Sequence, residues 1–76
     1  MNVARIIRVD MTRGFAIARR TCDQRTVFVH CSTFDHPRDF NQDLVGREIE
    51  VEATDTGNGL RAVSLRLLKR HPIPLN

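Results

Sequence analysis

Phe15, Phe28 and His30 are the residues of this chain whose types and spacing point to chemistry. They fall in two short runs, Arg13-Gly14-Phe15-Ala16-Ile17-Ala18 and Val27-Phe28-Val29-His30-Cys31-Ser32. Each run alternates with a period of two, as a β-strand with one buried and one wet face does. Ala16 and Ala18 point one way and Phe15 and Ile17 the other, while Val27 and Val29 oppose Phe28 and His30. Pairing the two strands brings three flat rings onto one face. Filling an interior from that side would expose the valines, so the pattern predicts an outward platform on which nucleobases stack. Each stacked base is worth about 1–3 kcal/mol.

The elements that must position these rings can be read along the chain. A first strand is predicted over residues 3–10, with Ala4 and Ile6 on one face and Arg5, Ile7 and Val9 on the other. Met11-Thr12-Arg13-Gly14 makes a turn into a second strand over 15–20, and Thr21-Cys22-Asp23-Gln24 a polar connection into a third over 25–31. Residues 32–45 read as a long irregular loop, with room for one helical turn before His36-Pro37. In a fourth strand, over 48–54, Ile49, Val51 and Ala53 face inward against Glu48, Glu50 and Glu52 outward. Asp55-Thr56-Gly57-Asn58-Gly59 is a turn signal, and a fifth strand follows over 60–68. Short strands at this spacing argue an all-β barrel over residues 1–68, with residues 69–76 as an extended tail holding Pro72 and Pro74.

The two runs resemble the paired ribonucleoprotein motifs of the cold-shock domain, whose pattern is roughly Lys-Gly-Phe-Gly-Phe-Ile followed by Val-Phe-Val-His-Phe-Ser. Gly14, Phe15, Val27, Phe28, Val29, His30 and Ser32 match, and Arg13 keeps the charge of the motif lysine. The stretches 46–51 and 59–65 are similar to that family's fourth- and fifth-strand segments, so the likeness spans residues 3–68 in order. It implies a five-stranded antiparallel oligonucleotide-binding (OB-fold) barrel of cold-shock type, with a long loop between strands 3 and 4. The implied function is binding of single-stranded RNA or DNA, in an RNA chaperone-like or transcription-modulating role.

The expected interface is then Phe15, Phe28 and His30, edged by Arg13, Arg8, Arg19 and Arg61. Ile17 stands where the motif has its second phenylalanine. Phe40 either stacks bases from the loop, as a family aromatic does, or folds back onto the core. Phe34 is expected in the core. The departures thin the platform: Arg8 and Val9 replace an aromatic pair of the first strand, and Cys31 replaces another ring. Fewer stacks mean weaker and more salt-sensitive binding, which arginine offsets in part through phosphate contact and guanidinium stacking.

Composition bounds the alternatives. The chain has 76 residues and a net charge of +3, and eleven of its twelve basic residues (Lys plus Arg) are arginine. That bias suits a phosphate-binding surface, and GC-rich codons would produce it equally well. No run approaches the roughly 20 apolar residues of a membrane span, and Met1–Arg5 show no apolar leader, so a cytoplasmic protein is expected. Cys22 and Cys31 fit no usual zinc spacing, even with His30 and His36 added, and are expected as free thiols. No nucleophile, base and orienting group stand at informative spacing, so neither an enzyme nor a cofactor is expected. A monomer or weak dimer is expected. The second reading is a protein-interaction module on the same fold, regulating a polymerase or nuclease, motivated by the thinned rings, Arg8 and the acidic fourth strand.

Overall fold

The computed structural model describes residues 2–68, so the proposed 69–76 tail lies outside the described residues. The strands are β1 (Asn2–Asp10), β2 (Phe15–Arg20), β3 (Thr26–His30), β4 (Glu48–Asp55) and β5 (Leu60–Leu67). They close into a barrel in the order β1-β2-β3-β5-β4, with β4 returning to β1. This is the expected all-β, OB-fold-like architecture, with one correction. The barrel is mixed, not wholly antiparallel, because β3 and β5 run parallel through Val27↔Leu60 and Phe28↔Arg61. A closed ring with an odd number of strands cannot alternate direction throughout, so one parallel contact is unavoidable. The long β3–β4 connection makes it possible by carrying the chain across one end of the barrel.

The interior is filled by the inward residues of all five strands: Ala4, Ile6, Val9, Ala16, Ala18, Val27, Val29, Ile49, Val51, Leu60 and Ala62. The β3–β4 connection adds Phe34, Phe40 and Leu44 to the same core. It is not one helical turn plus loop, as the sequence suggested, but three short 3-10 turns, at Cys31–Thr33, Pro37–Asp39 and Gln42–Leu44. Each turn is only three residues long, and Pro37 opens the second one. The turns fold the connection tightly enough to seat its two phenylalanines edge to face, with ring centroids 5.5 Å apart.

β1 departs from strict alternation. Its register to β2 slips between Ile6 and Arg8, leaving Ile7 as the extra residue of a β-bulge. Ile7 is 42% exposed, and Val9, expected on the face opposite Ala4 and Ile6, is buried with them. The bulge is held from the other side: Ile6 N–H donates to the Arg47 carbonyl (2.9 Å) and Ile6 C=O accepts from Gly46 N–H (2.7 Å). Its consequence falls on the outer face. Without the bulge Arg8 would share the inward face of Ala4 and Ile6; with it, Arg8 turns outward.

Candidate nucleic-acid interface

Because the strands are in register, the outer face of β1, β2 and β3 is organised in cross-strand rows. Arg8 pairs with Ile17, Ile17 with Phe28, and Phe28 with Arg61 on β5, so a guanidinium flanks each end of an apolar centre. The next row is Asp10–Phe15–His30, and the row on the other side is Arg5–Arg19–Thr26. Phe15 and Phe28 are diagonal neighbours across β2 and β3, a separation that aromatic side chains span. Their rings stack with centroids 4.7 Å apart and planes 23° from parallel. Phe28 is 40% exposed and Phe15 half-buried. Each ring gives one face to the other, and what remains is open, flat and apolar on a wet surface.

His30 ends β3 and caps the first 3-10 turn. Its Nδ1 accepts from Ser32 N–H at 3.1 Å and lies 2.8 Å from Ser32 Oγ. A nitrogen that accepts a backbone N–H carries no proton of its own, so the proton of the neutral ring sits on Nε2, a donor for a phosphate or base. The capping bond thereby fixes both ring orientation and tautomer. Arg13 lies in the β1–β2 turn, where its backbone N–H donates to Asp10 Oδ1 (2.9 Å). That bond occupies one oxygen of the single carboxylate in the ring rows. Gly14 closes the turn with φ +75°, and a Cβ there would stand 3.1 Å from Cys31 Sγ. Cys31 N–H in turn donates to the Gly14 carbonyl (2.8 Å), tying the end of β3 to the turn beside Phe15.

The arginines divide into two sets. Arg5, Arg20, Arg25 and Arg66 each have a carboxylate partner, in Glu48, Asp23, Asp55 and Glu50 respectively. Arg47 donates to the Leu68 carbonyl at 3.0 Å. Among the described residues, the guanidinium groups of Arg8, Arg13, Arg19, Arg38 and Arg61 have neither an ion pair nor a hydrogen bond, and all five are exposed. Four of the five are the arginines expected at the platform, and the fifth, Arg38, lies in the second 3-10 turn of the β3–β4 connection. Of the adjacent pair, Arg19 faces outward, whereas Arg20 turns to Asp23, its Nε donating to Oδ1 at 3.0 Å.

Phe40 is the expected site residue that the structure sets apart from the others. It is 8% exposed and packed against Phe34, not beside Phe28. Of its two readings the core one describes its position, because the compact 3-10 connection folds back over the barrel end. What the sequence did not reveal is a cleft of about 500 Å³ between the β1–β2 turn and the β3–β4 connection, lined in part by Met11, Ser32, Asp35 and Phe40. Its walls come from segments far apart in sequence, so no local pattern marks it. Both thiols, Cys22 and Cys31, are free, and no helix of the described residues is long and apolar enough to cross a membrane. Compared with models of known protein families, with curated proteins and with solved structures, the chain matches none.

Proposed function

We propose that this protein is a non-enzymatic binder of single-stranded RNA or DNA, working as the cold-shock resemblance implies. Bases stack on Phe15 and Phe28, His30 Nε2 donates at the edge, and Arg8, Arg13, Arg19 and Arg61 hold the phosphates. One observation carries the reading: a solvent-facing pair of stacked rings is surrounded by four guanidinium groups without carboxylate partners. Unpaired arginines are a standing like-charge cost to the fold, and an anionic strand relieves it. Apolar rings on a wet face find a use in the same ligand. A binder of this kind in the cell protects or remodels RNA, or modulates transcription.

The test is titration of a labelled single-stranded oligonucleotide at low and moderate salt. Saturable binding is expected, with log K falling by about 0.7 per phosphate contact for each unit of log salt, thus by about 3 for four arginines. Phe15→Ala with Phe28→Ala should weaken binding by about 2–6 kcal/mol. An isotherm unmoved by that pair would refute the platform. The second reading keeps the same face and changes the partner: the four free guanidinium groups also complement an acidic protein surface. It predicts negligible oligonucleotide affinity at any salt and retention of a specific protein by immobilised wild type but not by an Arg8→Gln, Arg61→Gln variant.

A further inference from the structure

We infer that the cleft beside His30 takes a single guanine base, giving the strand-binding face a point of sequence preference. The inference rests on the platform reading above and adds to it a base-reading pocket. The cleft has a volume of about 500 Å³, ample for one purine. Met11, Phe34, Pro37 and Phe40 give it flat and flexible apolar walls, the setting in which an unstacked base is held. It adjoins the stacking face directly. Gly14 and Cys31 line it, Gly14 precedes Phe15, and Ser32 is hydrogen-bonded to His30. A nucleotide next to one stacked on Phe15 is therefore in reach of it.

The polar side chains of the lining select the base. Ser32 and Asp35 are exposed members of the lining. His30 Nδ1 accepts from Ser32 N–H, so the Ser32 hydroxyl proton is also directed at that nitrogen and the oxygen presents lone pairs to the cleft. Among the described residues, the Asp35 carboxylate has no hydrogen-bond or ion-pair partner. These two groups offer acceptors, and a carboxylate repels the phosphate backbone, so it is the base that enters. Guanine alone carries two adjacent donors, N1–H and the 2-amino group, on one edge, matching both oxygens of a carboxylate. Adenine and cytosine present a donor beside an acceptor, and uracil a donor between two carbonyls, which a carboxylate disfavours.

The experiment measures affinity for a short oligouridine and for the same oligomer with a single guanosine placed at each position in turn. The readout is the guanosine-to-uridine affinity ratio. A rise of about five- to a hundredfold is expected at one position, the discrimination of a good two-bond base contact. Inosine, which lacks the 2-amino group, should recover only part of it. Asp35→Asn should bring the ratio close to one, because an amide cannot accept both donors. Oligouridine binding with a flat guanosine profile, or a guanosine preference that survives Asp35→Asn, overturns the base-reading pocket and leaves the platform standing. Absence of binding to every oligomer overturns the platform reading and the pocket with it.

Discussion

The platform and the β4–β5 face are built from the same alternating β-pattern, yet they treat charge in opposite ways. On β4 and β5 every outward carboxylate has a partner: Glu48 faces Arg5 (4.0 Å), Glu50 meets Arg66 (2.6 Å), and Glu52 accepts from Ser64 Oγ (3.4 Å). Around Phe15 and Phe28 the arginines stand without carboxylates. Apart from Arg61, which β5 sets beside Phe28, the β4–β5 face satisfies its own charges and is finished when the chain folds. A face that leaves them open keeps its guanidinium groups available to an anion. Exposed ion pairs are each worth little to stability, so the contrast bears on what the two surfaces can bind.

The turns carry the contrast further, and they give the largest expected effect on the fold. Gly14 at the platform and Gly57 between β4 and β5 both have positive φ, at +75° and +86°. An alanine at either strains the backbone by about 1–2 kcal/mol. At Gly57 a Cβ meets nothing within 4 Å, whereas at Gly14 it meets Cys31 Sγ at 3.1 Å. Gly14→Ala should therefore lower stability more than Gly57→Ala in urea denaturation. It should also weaken oligonucleotide binding, since the Gly14–Cys31 link holds Phe15 beside His30. Equal losses in both variants would show that the turn merely connects two strands.

A smaller effect separates the faces by charge alone. Arg8→Gln with Arg61→Gln should reduce the salt slope of oligonucleotide binding by about 1.4, at about 0.7 per lost phosphate contact. Arg66→Gln, on the paired face, should leave that slope as it was. Both changes are on the surface, so thermal unfolding should move little in either case. A slope that responds equally to Arg66→Gln would mean that only overall charge matters and that the two faces are not distinct.

How much of this was legible in the sequence follows from how local each cause is. The ring face of β2 and β3 was legible because alternation of Phe15 and Ile17 against Ala16 and Ala18 is a property of neighbouring residues. The same holds for Ile49 and Val51 inside the glutamate stripe of β4. The inward turn of Val9 was not legible. It depends on a bulge at Ile7 pinned by Gly46 and Arg47, some 40 positions along the chain. That bulge also turns Arg8 outward, where alternation alone would have placed it inside. Phe40 sat between two readings because its direction depends on how a loop packs, and packing against Phe34 is a tertiary event. The parallel β3–β5 contact was available from strand count once closure was assumed. The free state of the platform arginines was not, because it is a statement about which carboxylates fail to reach them.

The two regions meet at Arg25, and the smallest effect is expected there. Its backbone N–H donates to Asp23 Oδ1 in the β2–β3 turn (3.1 Å), and its guanidinium reaches Asp55 Oδ2 at the β4–β5 turn (3.3 Å). Hydrogen bonds from the Arg20 guanidinium, with help from Arg25 N–H, hold the Asp23 carboxyl well below the usual carboxylate range. The Gly57 backbone N–H, and then Arg25, lower Asp55 in the same direction. A carboxyl whose folded pKa lies below its unfolded value adds stability above the unfolded value, near pH 4, and loses it as pH falls toward the folded one. Thermal stability should thus be flat near neutrality and decline below about pH 4. Asp23→Asn should be less stable than wild type at pH 7, and the gap should narrow as the solution is acidified. Oligonucleotide affinity at pH 7 should change little, since Asp23 supports the end of the β2–β3 hairpin and touches none of the rings. A gap that widens in acid would mean that the carboxylate is tolerated in its turn and not held there by Arg20.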